Sequence, residues 1–514
     1  MGKTVTNVLV SASLSLSAAA WAARDFTPQA GTWVVDAELN GQPGRGLGIE
    51  VRGNALYLQV FNYRADGSAA FHAAAGELAG HAITTTLQQY RGGRWLGGPA
   101  QSGQADGTAG EVTLRFADGV TGSIQFPGEP EVAIRRFAVG AAAEDPANPD
   151  RIGRQMSLYA VDEHRTPVYA WNAHLQRDDG GAYRLSLRGK DKSTPNAWLR
   201  CVKAPASEQW DCEAEEGTEP PIRRVQIQRF AADVKGQVEW RNGTLQPLFG
   251  HQTMVAGGLV ITGCMFIAQI DVADGYACLN GRRMPANGVW MVADEIDGTP
   301  GRGLNVDVQD GIAMLQLFDY RRDGRSSFHA MAAPYEAGSV ARGPLLRYQQ
   351  GRYFGSGPLV ASLAEDAGEL RLAMEHESTP GSRRPGRATE GTITLPGEPA
   401  KRITKLTLGI EASLPEQLLG SWHMLFNSSD PAASRERDFS RAFSLETIAD
   451  DGVVYSAGRD VACRAYGQNG LNVRCDALDA AGQVIGHSSF FYDGISRNVD
   501  QVKYKDRFGN WMGI

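Results

Sequence analysis

Apolar residues in this chain recur at every second position, in short runs. Over Leu56–Tyr63, Leu56, Leu58, Val60 and Asn62 fall on one side of an extended strand, and Tyr57, Gln59, Phe61 and Tyr63 fall on the other. The same rhythm predicts strands near 31–36, 46–52, 55–63, 69–76, 82–89, 110–117, 120–126 and 131–138. Turn residues separate them, among them Arg64-Ala65-Asp66-Gly67 and Asp118-Gly119. Gly67 is expected to take the positive φ that closes its hairpin. Sustained helical periodicity is nearly absent. Sequential strands with hairpin-length links imply an all-β fold, an antiparallel meander closed as a barrel or folded as a sandwich of about eight strands.

The pattern is written twice. "FNYRADGSAAFHA" at Phe61–Ala73 returns as "FDYRRDGRSSFHA" at Phe318–Ala330, and Gly31–Val51 matches Gly288–Val308 at the same spacing. "LQQYRGGRWLGG" (Leu87–Gly98) aligns with "LRYQQGRYFGSG" (Leu346–Gly357), and "FPGEP" (Phe126–Pro130) with "LPGEP" (Leu395–Pro399). Most of the extra length in the second copy is assigned to the polar, Pro/Gly-rich stretch His376–Arg387. The segments that follow are related more weakly through a cysteine pair on two hairpin strands. The expected organisation is therefore A–B–A′–B′: domain A over 23–140, a smaller disulfide-containing β domain B over 152–232, a linker over 233–287, A′ over 288–411 and B′ over 417–514.

Residues 1–22 read as an export signal. Lys3 is followed by an uncharged, mostly apolar or small run, and Ala20-Trp21-Ala22 fits the small-x-small cleavage rule. Export to the periplasm or beyond fits the six cysteines. They fall as neighbours, and the expected disulfides are Cys201–Cys212, Cys264–Cys278 and Cys463–Cys475. No C-x-x-C occurs and no His lies at ligand spacing, so no metal or cofactor is expected. The formal net charge of −7, with scattered Lys and Arg, argues against a nucleic-acid partner. Met254–Ile270 carries no charge, and three readings of it stay open: a buried linker, a relic of a second export signal, or a membrane anchor.

The residues Gly31-x-Trp33, Gly46-x-Gly48, Phe61, Tyr63 and Gly67, with Val112–Phe126, resemble a β-rich repeat of exported bacterial proteins of unknown function. Gly288, Trp290, Gly303, Phe318, Tyr320 and Gly324 carry the resemblance in the second copy. The resemblance implies a fold and brings no catalytic residues. Arg64 and Arg321 stand where that pattern has Asp, and Phe71-His72 and Phe328-His329 where it has Trp-Tyr.

No nucleophile elbow, zinc-protease motif or phosphate loop occurs; "GRGLG" (Gly44–Gly48) reads as a strand-entry turn and "EHE" (Glu375–Glu377) as a solvated loop. The best ligand-binding candidates are Gln59, Phe61 and Tyr63 with Gln316, Phe318 and Tyr320, since rings stack and amides hydrogen-bond. The same face suits the other packing wall of a sandwich better still, with Tyr at its polar rim. His72 and His329 are expected to lie across from the outgoing strand, near Asn62 and Asp319 respectively, as polar pairs at a sheet edge. The functional expectation is a non-enzymatic exported protein that binds a glycan, small molecule or cell-surface partner through loops at one end of its A domains. The alternative is a hydrolase of envelope or extracellular polymers.

Overall fold

The computed structural model describes most of residues 28–138, 154–255, 285–406 and 415–491, with short strand fragments at 258–259, 265–266, 276–277, 503–505 and 511–513. Nearly all the described elements are strands joined by short turns. In domain A they are β1 (Gly31–Val35), β2 (Gly46–Arg52), β3 (Ala55–Tyr63), β4 (Ala69–Glu77), β5 (Ala82–Arg91), β6 (Gln104–Phe116), β7 (Thr121–Gln125) and β8 (Glu131–Arg136). Each pairs with the next, and β1 also pairs with β8, which closes an eight-stranded antiparallel barrel. Closure leaves no exposed edge for another chain to extend.

The alternation seen in the sequence explains the closure. Leu56, Leu58 and Val60 point inward with Trp33, Leu47, Ile49, Leu114 and Ile124. Trp33 is fully buried, and its indole N–H donates to the Gln29 carbonyl at 2.9 Å; Trp290 repeats this with Ala286 at 2.9 Å. Gly67 and Gly324 take φ of 81° and 85° in the hairpins after Tyr63 and Tyr320, as expected.

Domain B contains β9 (Arg154–Val161), β10 (Pro167–Arg177), β11 (Tyr183–Gly189), β12 (Ala197–Lys203), β13 (Gln209–Ala214), β14 (Ile222–Phe230), β15 (Asp233–Trp240) and β16 (Leu245–Val255). They too form a closed meander, sealed by β9 against β16. The supposed linker thus supplies the last two strands of this barrel, and B has as many strands as A. Its hairpin β15–β16 is polar on one side because only the inward side, with Val234, Val238 and Leu248, is buried.

Domain A′ is a third eight-stranded closed barrel, running from Gly288–Val292 to Lys401–Lys405. B′ closes six strands between Gly420–Ser428 and Val484–Phe491. Cys201–Cys212 and Cys463–Cys475 are disulfide-bonded, each between directly opposed residues of a hairpin. Cys264 and Cys278 lie outside the described residues, as do residues 1–22, Glu375–Glu377 and most of the apolar run 254–270. Among the described residues no helix is long and apolar enough to cross a membrane.

Candidate functional site

The six expected ligand-binding residues lie on the outside of the two A barrels, where they meet one another. Phe61 stacks on Phe318 with centroids 5.3 Å apart, and Phe328 packs edge-on against both Phe61 and Tyr63. Phe71 packs on Phe318 and Tyr320 in the corresponding way. Gln59, Phe61, Tyr63, Gln316, Phe318 and Tyr320 are all buried. The ligand expectation is therefore corrected: this face is a packing wall, and its occupant is the other copy of the domain.

The contacts obey an approximate two-fold relation, as in an isologous dimer. Arg136 forms a buried ion pair with Asp307, at 2.5 and 2.9 Å. Its counterpart joins Lys405 to Glu50. Burial raises the Glu50 carboxyl above its usual range and lowers the Lys405 ammonium below its own, each only partly countered by the other's charge. Gly31 and Gly288, the first glycines of the two G-x-W motifs, have φ of 125° and 113°. A Cβ there would overlap the Arg136 guanidinium and the Glu50 carboxylate respectively. The motif glycines thus admit the interface charges.

Each barrel also closes the other's mouth. The loop after β5 reaches A′: Gly92 N–H donates to the Gly324 carbonyl at 2.7 Å, and Leu96 packs on the A′ core. In return Gln350 N–H donates to the Gly67 carbonyl at 2.7 Å, and Phe354 packs on the A core beside His72 and Phe126. Gly93 and Gly351 lie flat against the rings of Tyr320 and Tyr63, where a Cβ would overlap the ring. These equivalences (92 with 350, 93 with 351) place the sequence alignment of Leu87–Gly98 one residue out of register; Leu87 corresponds to Leu345, and both are fully buried.

Charged clusters fix both plugs. Arg45 is buried between Glu38 and Glu129, and Arg352 from the opposite barrel reaches the same two carboxylates at 3.0 and 3.1 Å. Arg302, Glu295, Glu398 and Arg94 repeat the arrangement. Burial pushes the Glu129 and Glu398 carboxyls up, but the arginines and the Gly355 and Gly97 N–H groups more than offset it, leaving both below the ordinary carboxylate value. Arg45 of "GRGLG" is therefore the hub of a cluster and not merely part of a turn. The signal was available: Arg45 and Glu129 both recur, as Arg302 and Glu398.

The symmetry breaks near Gly48. In A′ the equivalent residue is Asn305, whose amide donates to Thr32 Oγ1 at 2.9 Å and Gln316 Oε1 at 2.8 Å. The related positions hold Val289, Gly48 and Gln59, and the Gln59 side-chain oxygen accepts no hydrogen bond. Asn305 fills the space Gly48 leaves: a Cβ at Gly48 would stand 3.2 Å from Asn305 Cγ.

Inside the mouths, the two histidines are not at a sheet edge, because the barrels have none. His329 Nδ1 lies 3.2 Å from Asp319 Oδ1, with Ser327 directly across from Asp319 on the neighbouring strand. All three are buried, and Ser327 Oγ has no hydrogen-bond partner. Copy one has Asn62, His72 and Ala70 at these places, and burial together with the Arg64 charge pushes His72 down to about 4. An acid, an imidazole and a hydroxyl are the components of a nucleophilic site, but the Leu96 plug covers this barrel's core.

A third feature lies on the outside of domain B. Trp198 is 54% exposed on β12, while Leu199 and Cys201 point inward. Sequence reasoning passed over it, although a disulfide-forming Cys201 facing the core puts Trp198 and Arg200 on the outer face by alternation.

Among the described residues no group of three or more His, Cys, Asp or Glu side chains could hold a metal ion. No family model and no curated protein matches the chain.

Proposed function

We propose that the chain is an exported, non-enzymatic β-barrel protein that binds a glycan, a small molecule or a cell-surface partner, with the paired A barrels as its rigid core. The observation that carries this reading is the mutual burial of the A faces and mouths: the duplicated surface serves cohesion, so recognition falls to the B-type barrels. Disulfides in both B-type barrels point to a compartment outside the cytoplasm, and residues 1–22 supply an address for export. A hydrolase of envelope or extracellular polymers is the competing reading, and it draws on Asp319, His329 and Ser327. The deciding experiment incubates purified protein with an array of envelope and extracellular polysaccharides and follows both retention and product release. Retention without products supports binding. Products that disappear in Ser327→Ala and Asp319→Asn would establish the hydrolase instead.

A further inference from the structure

The exposed indole of Trp198 stands out among the tryptophans of its own barrel. Trp171 and Trp210 are buried, and Trp240 packs against the core. Trp198 instead sits among outward-facing polar residues on neighbouring strands. Ser186 of β11 lies directly across from it, Arg184 and Arg188 lie one step to either side on that strand, and Arg200 follows on β12. Beyond β11, Asn172 of β10 stands opposite Arg188. Arg184 is held by Glu215 at 3.5 Å. Among the described residues, the Arg188 and Arg200 side chains are exposed and their guanidinium groups make no hydrogen bond or ion pair, although Arg200 stands across from Glu213. Domain B touches domain A through Lys235 on β15, which pairs with Asp118 at 2.6 Å, three strands round from β12.

The geometry points to this outer face as a binding site for an acidic saccharide unit, one carrying a carboxylate or sulfate on a pyranose ring. This rests on the reading of the chain as a binding protein and names the site and ligand class. An exposed indole gives the apolar face of a sugar ring a flat surface to stack on. Unpaired guanidinium groups to either side match an anionic oxygen pair, since the planar donor fork binds carboxylate and sulfate in two-point fashion. The amide of Asn172 and the hydroxyl of Ser186 suit sugar hydroxyls. Aligning Cys201 with Cys463 puts Asp460 in place of Trp198 and Ala462 in place of Arg200, so B′ has neither the ring nor the cation at these two positions.

The test titrates full-length protein with oligogalacturonate and with the neutral oligogalactose of equal length, reading tryptophan fluorescence and calorimetry. The acidic oligomer is expected to bind, more weakly at higher salt. Trp198→Ala should weaken it by about 10-fold or more and Trp198→Phe by less, the typical loss for truncating an aromatic anchor. Arg188→Ala combined with Arg200→Ala should erase the preference for the acidic oligomer. These side chains are exposed, so circular dichroism should be unchanged. No binding of the acidic oligomer, or equal binding by Trp198→Ala, overturns the site. If the acidic oligomer does not bind, or binds Trp198→Ala equally, while wild-type protein retains other glycans of the polysaccharide array, the site fails and the binding function stands. If wild-type protein retains none, or releases products, both fail.

Discussion

The contact between Gly48 and Asn305 makes the pairing of the A domains specific as well as cohesive, and exchanging the two residues probes it. Gly48→Asn puts a Cβ 2.7 Å from Gln59 Oε1 and 3.3 Å from Asn305 Cβ, with an amide still to place. Overpacking of this kind costs about 1–3 kcal/mol. Asn305→Gly removes two hydrogen bonds and leaves Gln316 Oε1 and Thr32 Oγ1 buried with less to accept, another loss of about 1–3 kcal/mol. In the double variant the introduced asparagine gains an empty slot opposite, and Gln59 Oε1 becomes its acceptor. Coupling of about 2 kcal/mol is expected, so the double variant should be clearly more stable than the sum of the singles. Differential scanning calorimetry of the full chain, following the A-domain transition, measures it. Strict additivity would mean that the two positions do not touch, and the two-fold packing argument would fail with it. Paired copies of A′ alone would set Asn305 against Asn305, so the asymmetry also disfavours that self-association.

Three further outcomes follow from the same packing. Gln350 holds φ of 63° where copy one has Gly92 at 74°. Gln350→Gly should therefore stabilise the protein by up to about 1 kcal/mol in thermal unfolding, because the left-handed strain of a non-glycine residue disappears. Arg352→Ala should cost about 1–3 kcal/mol by removing the plug cation that Glu38 and Glu129 share, whereas Arg347→Ala, which breaks a solvent-facing pair with Glu365, should cost under about 1 kcal/mol in the same denaturant titration. His72 is held neutral, its pKa pushed by burial from the ordinary 6.5 down to about 4. The unfolded chain then binds the extra proton first, so this contribution is complete above pH 6.5 and is lost as pH falls toward 4, by about 3 kcal/mol in all. His72→Gln should flatten the pH–stability curve in that window and leave the steeper loss below pH 4.5, where Glu129, Glu295 and Glu398 take up protons.

The strands of the A domains were legible because inward residues alternate strictly and glycine marks the turns. The predicted and observed bounds of the first five strands differ by two residues at most. Two of the three expected disulfides are present for a related reason: hairpin strands put neighbouring cysteines opposite each other. The fate of the second face was not legible. A strand with Gln59, Phe61 and Tyr63 outward has the same period-two signature whether it awaits a ligand or a twin. Only the three-dimensional pairing of Phe61 with its own equivalent Phe318 separates the two. The hairpin at 233–255 was hidden by polarity on its outer side, and by the uncharged run that begins at Met254. Trp198 was missed because an aromatic beside a cysteine reads as core unless the alternation is followed residue by residue.

The pairing of the two A barrels can be tested in one measurement. Arg91 and Arg325 belong to different barrels and face each other as an isolated antiparallel bridge. The full chain carrying Arg91→Cys and Arg325→Cys should form an internal disulfide under mild oxidation, seen as a cross-linked peptide by mass spectrometry at a yield independent of protein concentration. Two free, rapidly alkylated thiols, or cross-links only between chains, would contradict the account.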